Sequence, residues 1–131
     1  MEYSSEVLQR FGSPQRAGML PNGAPGRVVA GEAEDRTLHV WVRFQLQVID
    51  GVIQAVRFHV YGCPHTVAAA CLIAERLEGK PVESSSRLDV RELVTALDVP
   101  IDKLGKLLRI EDAVLACWRA SQGDTDVEKD D

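Results

Sequence analysis

Leu38-His39-Val40-Trp41-Val42-Arg43-Phe44-Gln45-Leu46-Gln47-Val48, followed by Ile49-Asp50-Gly51 and then Val52-Ile53-Gln54-Ala55-Val56-Arg57-Phe58-His59-Val60-Tyr61, decides the fold. Leu38, Val40, Val42, Phe44, Leu46 and Val48 recur at every second position, with His39, Trp41, Arg43, Gln45 and Gln47 between them. A period of two with one apolar and one wet face is an antiparallel strand. Asp50-Gly51 marks a hairpin, and the returning strand turns Val56, Phe58 and Val60 inward. A two-residue loop would set Phe44 against Arg57. One extra residue sets Phe44 against Phe58 and Leu46 against Val56, so the buried face favours a three-residue loop. That register puts His39 opposite Cys63 at the open end.

Gly62-Cys63-Pro64-His65 ends the strand and begins a helix, with Pro64 at the first helical position and Cys63 as N-cap. The helix runs to about Glu78, where Gly79 suits a C-cap. Val67, Ala70, Cys71, Ala74 and Leu77 form its inner face. A second helix is expected over 89–97, with Asp89 and Glu92 at capping-box spacing. A last one covers about 102–120 and buries Leu104, Leu107, Leu108, Val114, Leu115 and Trp118. Upstream, residues 3–11 read as a short amphipathic helix with Val7, Leu8 and Phe11 on one side. Residues 12–26 hold four Gly and three Pro and read as an ordered loop. Residues 27–33 are a candidate first strand, and Glu34-Asp35-Arg36 a turn. Strands precede most of the helices, so the fold class is α+β. There is no internal repeat.

The 131 residues suit one domain, here placed at 1–120. Residues 121–131 are read as an acidic, frayed tail, since 124–131 carry five acids against one Lys. Apolar residues at 45% suffice for a core, and aromatics at 5% make that core mostly aliphatic. A net charge of −5 argues against nucleic-acid and anionic-membrane surfaces, which need clustered Lys and Arg. No apolar run approaches a bilayer span, and the first residues do not resemble a signal peptide. Three widely spaced cysteines, Cys63, Cys71 and Cys117, suggest no disulfide framework and a cytoplasmic setting.

Taken in order, several segments resemble the IscU/NifU-type iron–sulphur scaffold family. They are Tyr3-Ser4-x-x-Val7, Pro14-x-Arg16-x-Gly18, Arg57-Phe58, Tyr61-Gly62-Cys63, Glu78-Gly79-Lys80, Pro100 and Glu111-Asp112-Ala113. The resemblance implies a three-stranded antiparallel sheet packed against helices, with a cluster site at one end built from three cysteines, an Asp and a His. It also implies a cysteine desulphurase, or another cluster-assembly protein, as partner. Cys63 matches the family's second cysteine. The first falls in a stretch, residues 31–38, that holds Glu34 and Asp35 but no Cys. The third, preceded by His in the family, falls at Gly105-Lys106. The family's chaperone-recognition run corresponds to residues 99–103 and is only partly kept.

One thiol cannot hold a two-iron cluster, which takes four ligands. A mixed set of Cys63, His65, His39 and Asp35 has the N/S/O character of a zinc or iron(II) site. A homodimer pairing two Cys63 sites would also raise the ligand count. Alternatively, the Lys106 ammonium pairs with Asp35 or Glu34 and fills the former site, leaving an interaction module. Against each functional reading stands a bland one. Cys63 serves as a helix cap, His65, His39 and His59 are solvated, and Cys71 and Cys117 are core residues, because free Cys behaves as a small hydrophobe. No nucleophile–base pair, phosphate-cradling loop or paired carboxylates mark an enzyme.

Overall fold

The computed structural model describes residues 3–123. In chain order it contains α1 (Ser5–Gly12), β1 (Arg27–Asp35), β2 (Val40–Ile49), β3 (Val52–Tyr61), α2 (Pro64–Leu77), α3 (Arg91–Ala96) and α4 (Leu104–Ser121), with 3-10 turns at Val82–Ser86 and Ile101–Lys103. The three strands form one antiparallel sheet in the order β1-β2-β3, and the class is α+β as expected. The boundary placed at residue 120 falls inside the last turn of α4, and 124–131 lie outside the described residues.

The β2–β3 register follows the buried face. Phe44 pairs with Phe58 and Leu46 with Val56. The two phenyl rings stack with centroids 5.8 Å apart. The expected three-residue loop does not form. Asp50 (φ 53°) and Gly51 (φ 77°) make a two-residue turn with both φ values positive, the form that suits a twisted hairpin. The extra residue sits instead at a bulge, where Gln47 pairs with Ala55 but Val48 pairs with Ile53, leaving Gln54 over. Ile53 and Val56 therefore both point into the core, three positions apart.

The first strand is longer than expected. Glu34 and Asp35 are its last residues, and the turn is Arg36–His39. Leu38 and His39 are thus in the turn, not in β2, and His39 takes a left-handed φ of 56°. The Asp35 carboxylate explains the shift by accepting from the Leu38 N–H at 3.1 Å, a local turn bond.

The inner sheet face carries α4 and α2. At Gly31 on β1, α4 comes close to the strand. A Cβ there would run into the Ala113 carbonyl oxygen, the Cys117 N at 2.6 Å and the Ala116 Cβ at 2.8 Å. The end of α4 is tied down by Arg27, whose guanidinium donates to the Ala120 carbonyl at 2.8 Å and the Ser121 carbonyl at 3.2 Å. The buried face of α4 is Leu107, Ile110, Ala113, Val114, Cys117 and Ala120. Leu104, Leu108, Leu115 and Trp118, expected inside, are only half-buried, because β1 approaches along the row of small residues. The expected capping box at α3 is also absent. Asp89 does accept from the Arg91 N–H at 3.0 Å, but Val90 is the N-cap.

The Gly/Pro-rich segment straps the opposite face. Residues 16–18 lie parallel to β3, with Phe58 N–H donating to the Arg16 carbonyl at 3.1 Å and Gly18 N–H to the Phe58 carbonyl at 2.9 Å, which covers that sheet edge. The chain then crosses β2, where Leu20 N–H donates to the Gln45 side chain and Gln47 donates to the Pro25 carbonyl, each at 2.8 Å. At the N-terminus, Ser4 caps α1 by accepting from the Val7 N–H at 3.2 Å and donates to the Leu97 carbonyl at 2.6 Å. Arg10 clamps α1 to α2 through Glu75 at 3.2 Å.

Candidate functional site

Five elements meet at the open end of the β2–β3 hairpin, namely β3, α2, the β1–β2 turn, α4 and α1. Tyr61 ends β3, Gly62 follows, and Cys63 is the N-cap of α2 in extended conformation (φ −81°, ψ 169°), with Pro64 in the first turn. The β1–β2 turn brings His39 alongside. Its Leu38 packs against the start of α4, where a Cβ on Gly105 would lie 3.3 Å from Leu38 Cδ1. That contact sets the next residue, Lys106, into the same depression. Phe11, His39, Val60, Tyr61, Gly62, Cys63, Val67 and Lys106 line one open pocket of ≈ 530 Å³.

Cys63 is half-exposed. Its Sγ lies 3.4 Å from Thr66 Oγ1. Burial pushes the thiol up, but the Thr66 hydroxyl, the N–H groups of Thr66 and His65, and the Lys106 charge outweigh it, so the thiol is held below its ordinary 9.0. Those N–H groups face the sulphur without forming a cap hydrogen bond of full geometry. The position is that of a polarised thiol at a helix N-terminus. The other two cysteines are different. Cys71 is 1% exposed and raised by burial and by Glu75. Cys117 is fully buried, donates to the Phe44 carbonyl at 3.4 Å, and is pushed up to about 12 by burial.

The expected ligand set is not assembled. His65 is 1% exposed, packed against Tyr3 with the rings tilted at 59° and their centroids 4.7 Å apart, and neither ring nitrogen has a hydrogen-bond partner among the described residues. Burial, with the Lys103 and Lys106 charges adding and Asp102 opposing, pushes its pKa below the ordinary histidine value. It belongs to the packing of the N-terminus, not to the pocket, and it is not solvated as its helical position suggested. Asp35 is occupied by the Leu38 N–H and by Arg109 at 3.9 Å. Glu34 pairs with Arg36 at 3.6 Å. Neither acid pairs with Lys106, which makes no ion pair among the described residues, so the expected salt bridge is also absent. Both acids line a neighbouring pocket of ≈ 510 Å³ with Arg36, His39, Val40, Trp41 and Tyr61. Of the candidate set, Cys63 and His39 share the Cys63 pocket, and Lys106 joins them. Among the described residues, no three His, Cys, Asp or Glu side chains converge as a metal cage. A two-iron cluster, with its four ligands, does not fit the residues of a single chain.

Sequence reasoning missed Thr66, Phe11 and Tyr61. Thr66 stands three residues after an N-cap, the spacing at which capping partners meet. Tyr61 lies on the wet face of the alternation and is 79% exposed. Phe11 reaches the pocket from α1, and no local pattern announces that.

Residues 2–122 match the family described as the NifU-like N terminal domain. The chain belongs to that family. This NifU-like domain is 29% identical to the iron–sulphur cluster assembly scaffold protein IscU of Haemophilus influenzae, over 94% of this chain and the whole of that protein. It is 26% identical to the IscU scaffold of Escherichia coli K12, over 88% of this chain and 91% of that one. In fold it matches the N-terminal NifU-like protein of Brucella abortus with a TM-score of 0.72 at 18% identity, covering 92% of this chain and 94% of that one. A scaffold protein for the SUF system from Fervidobacterium islandicum gives 0.69 at 14% identity, covering 88% and 96%. The family is thus that of iron–sulphur cluster assembly scaffolds, reached from the sheet, the hairpin end and the Tyr61-Gly62-Cys63 corner alike. Among the described residues, no helix of this NifU-like domain is long and apolar enough to cross a membrane.

Proposed function

We propose that this domain is a cytoplasmic accessory of iron–sulphur cluster assembly that handles sulphur at Cys63, working with a cysteine desulphurase or with a cluster-bearing scaffold. The observation that supports this reading is the pocket itself. A polarised, half-exposed thiol is kept on the rim while Lys106 stands beside it and the nearby acids are engaged elsewhere. The domain accepts and presents; it runs no reaction of its own. Zinc or iron enters only as transient cargo, because Cys63 and His39 supply two donors where zinc takes four.

Incubation with a cysteine desulphurase and cysteine, followed by intact mass measurement, tests the reading. One added sulphur atom on the wild type and none on Cys63→Ser is the expected outcome. No added sulphur and no binding to the desulphurase would refute it. A second reading is a pure interaction module. Tyr61, 79% exposed beside the half-buried Trp41, favours it by offering aromatic surface next to the pocket. In that case a partner recovered from lysate is retained at full strength by Cys63→Ala.

A further inference from the structure

We propose that Lys106 makes the Cys63 pocket a seat for a perthiolate anion and bars it to metal cations, so that this chain carries one sulphane sulphur rather than a cluster. The inference rests on the reading of Cys63 as the sulphur-handling residue and names what the pocket holds.

Three features of the pocket carry the same sign. Lys106 lines it alongside Cys63, has no ion-pair partner among the described residues, and its charge favours the Cys63 thiolate. Cys63 caps α2, a helix of 14 residues whose first N–H groups point their positive end at the sulphur. The nearby acids line the neighbouring pocket rather than this one, with Asp35 paired to Arg109 and Glu34 to Arg36. An arriving Fe²⁺ or Zn²⁺ therefore meets an ammonium, a helix N-terminus and two donors, Cys63 and His39. An arriving anion meets the same charges with the opposite sign of energy. A cysteine at this position would have added a third donor, whereas lysine adds a positive charge that suits an anion.

The transfer balances without an added oxidant. The Cys63 thiolate attacks the terminal sulphur of a donor persulphide, R–S–SH. The donor S–S bond breaks as a Cys63 S–S bond forms, and the donor leaves as a thiolate, R–S⁻. The product Cys63–S–SH is more acidic than a thiol and loses its proton, leaving Cys63–S–S⁻ beside the Lys106 ammonium. The open pocket of ≈ 530 Å³, lined also by Phe11, Val60, Tyr61 and Val67, leaves room for the added atom. Lys106 acts as a positioning residue: it holds the anion and forms no bond to the transferred sulphur.

The test compares wild type, Lys106→Arg, Lys106→Met and Lys106→Glu, each checked for an unchanged thermal unfolding midpoint. Cys63 is loaded anaerobically with inorganic tetrasulphide at neutral pH, and uptake is followed by intact mass. In parallel, Co²⁺ is titrated and its thiolate charge-transfer absorption is read. Removing the Lys106 charge slows uptake about fivefold in Lys106→Met. Reversing it in Lys106→Glu slows uptake further and tightens Co²⁺ binding about tenfold. Lys106→Arg behaves as wild type in both measurements. Equal uptake and equal Co²⁺ affinity across the series would overturn the inference while leaving Cys63 as a sulphur acceptor. A wild type that takes no sulphur from tetrasulphide would sink both.

Discussion

Cys63 and Cys117 occupy opposite kinds of place, and the contrast separates what this fold needs from what it does. Cys117 lies in the seam where α4 meets the sheet, fully buried, with its thiol on the Phe44 carbonyl. Cys63 lies on the rim where hairpin and helix meet, half-exposed, with its thiol polarised. The seam tolerates no change of volume and treats sulphur as a small hydrophobe. On the rim, chemistry takes the place of a good helix cap. Substitutions should therefore be severe in the seam and mild for stability on the rim, with function following the reverse order.

The largest effect is expected at Gly31, which sets the depth of the seam. A Val side chain there must displace the backbone of α4 at Ala113 and Cys117, which no rotamer change relieves. Gly31→Val is expected to cost about 3 kcal/mol, at the upper end of overpacking penalties. Urea unfolding measures it. A loss under about 1 kcal/mol would mean that the seam has slack and that the contrast with the rim is false.

Less of the contrast was readable in the sequence than of the fold. The alternation over Val40–Leu46 and Val56–Phe58 determined the hairpin phase correctly, because a one-residue slip would turn the whole apolar face outward. It did not locate the extra residue. A bulge at Gln54 and a longer turn at Asp50-Gly51 give the same phase beyond the bulge, and only backbone geometry separates them. The corner at Cys63-Pro64 was equally plain, since Pro at the first helical position is a local signal. The rim's composition was not local. His65 is closed off by Tyr3, and Lys106 arrives because Gly105 lets α4 approach Leu38, contacts between residues far apart in the chain. Asp35 was expected in the site because it lies in the stretch that resembles the one carrying the family's first cysteine. Its bond to the Leu38 N–H makes it part of the β1–β2 turn.

A smaller effect follows from the Cys117 proton. In the native chain burial pushes this thiol up to about 12, with Arg43 opposing, whereas the unfolded thiol ionises near its ordinary 9.0. Below pH 9 both states keep the proton and stability is full. Above it the unfolded state sheds its proton first, so stability falls as pH climbs toward 12. Cys71, also raised, acts in the same direction, and Cys63, lowered, acts in the opposite one. Between pH 8 and pH 10 the wild type should lose about 1.4 kcal/mol more than Cys117→Ala, as one proton over one pH unit requires. Parallel losses in the two proteins would place the thiol in contact with water and remove the seam half of the contrast.

The smallest effect, and the sharpest for function, is at Cys63. Its side chain is the N-cap of α2 yet makes no cap hydrogen bond. Serine is among the preferred residues at that position because its oxygen accepts from an N–H in the first turn. Cys63→Ser should leave stability unchanged or raise it by about 0.5 kcal/mol, while ending sulphur uptake altogether. Denaturant unfolding beside the uptake assay reads both quantities on one preparation. A loss above about 1 kcal/mol would show that the sulphur is held by packing, as in the seam. Gain in stability with loss of uptake would show the reverse. This corner would then keep a weaker cap because a sulphur atom there is needed for the work at the rim, a choice that packing alone does not explain.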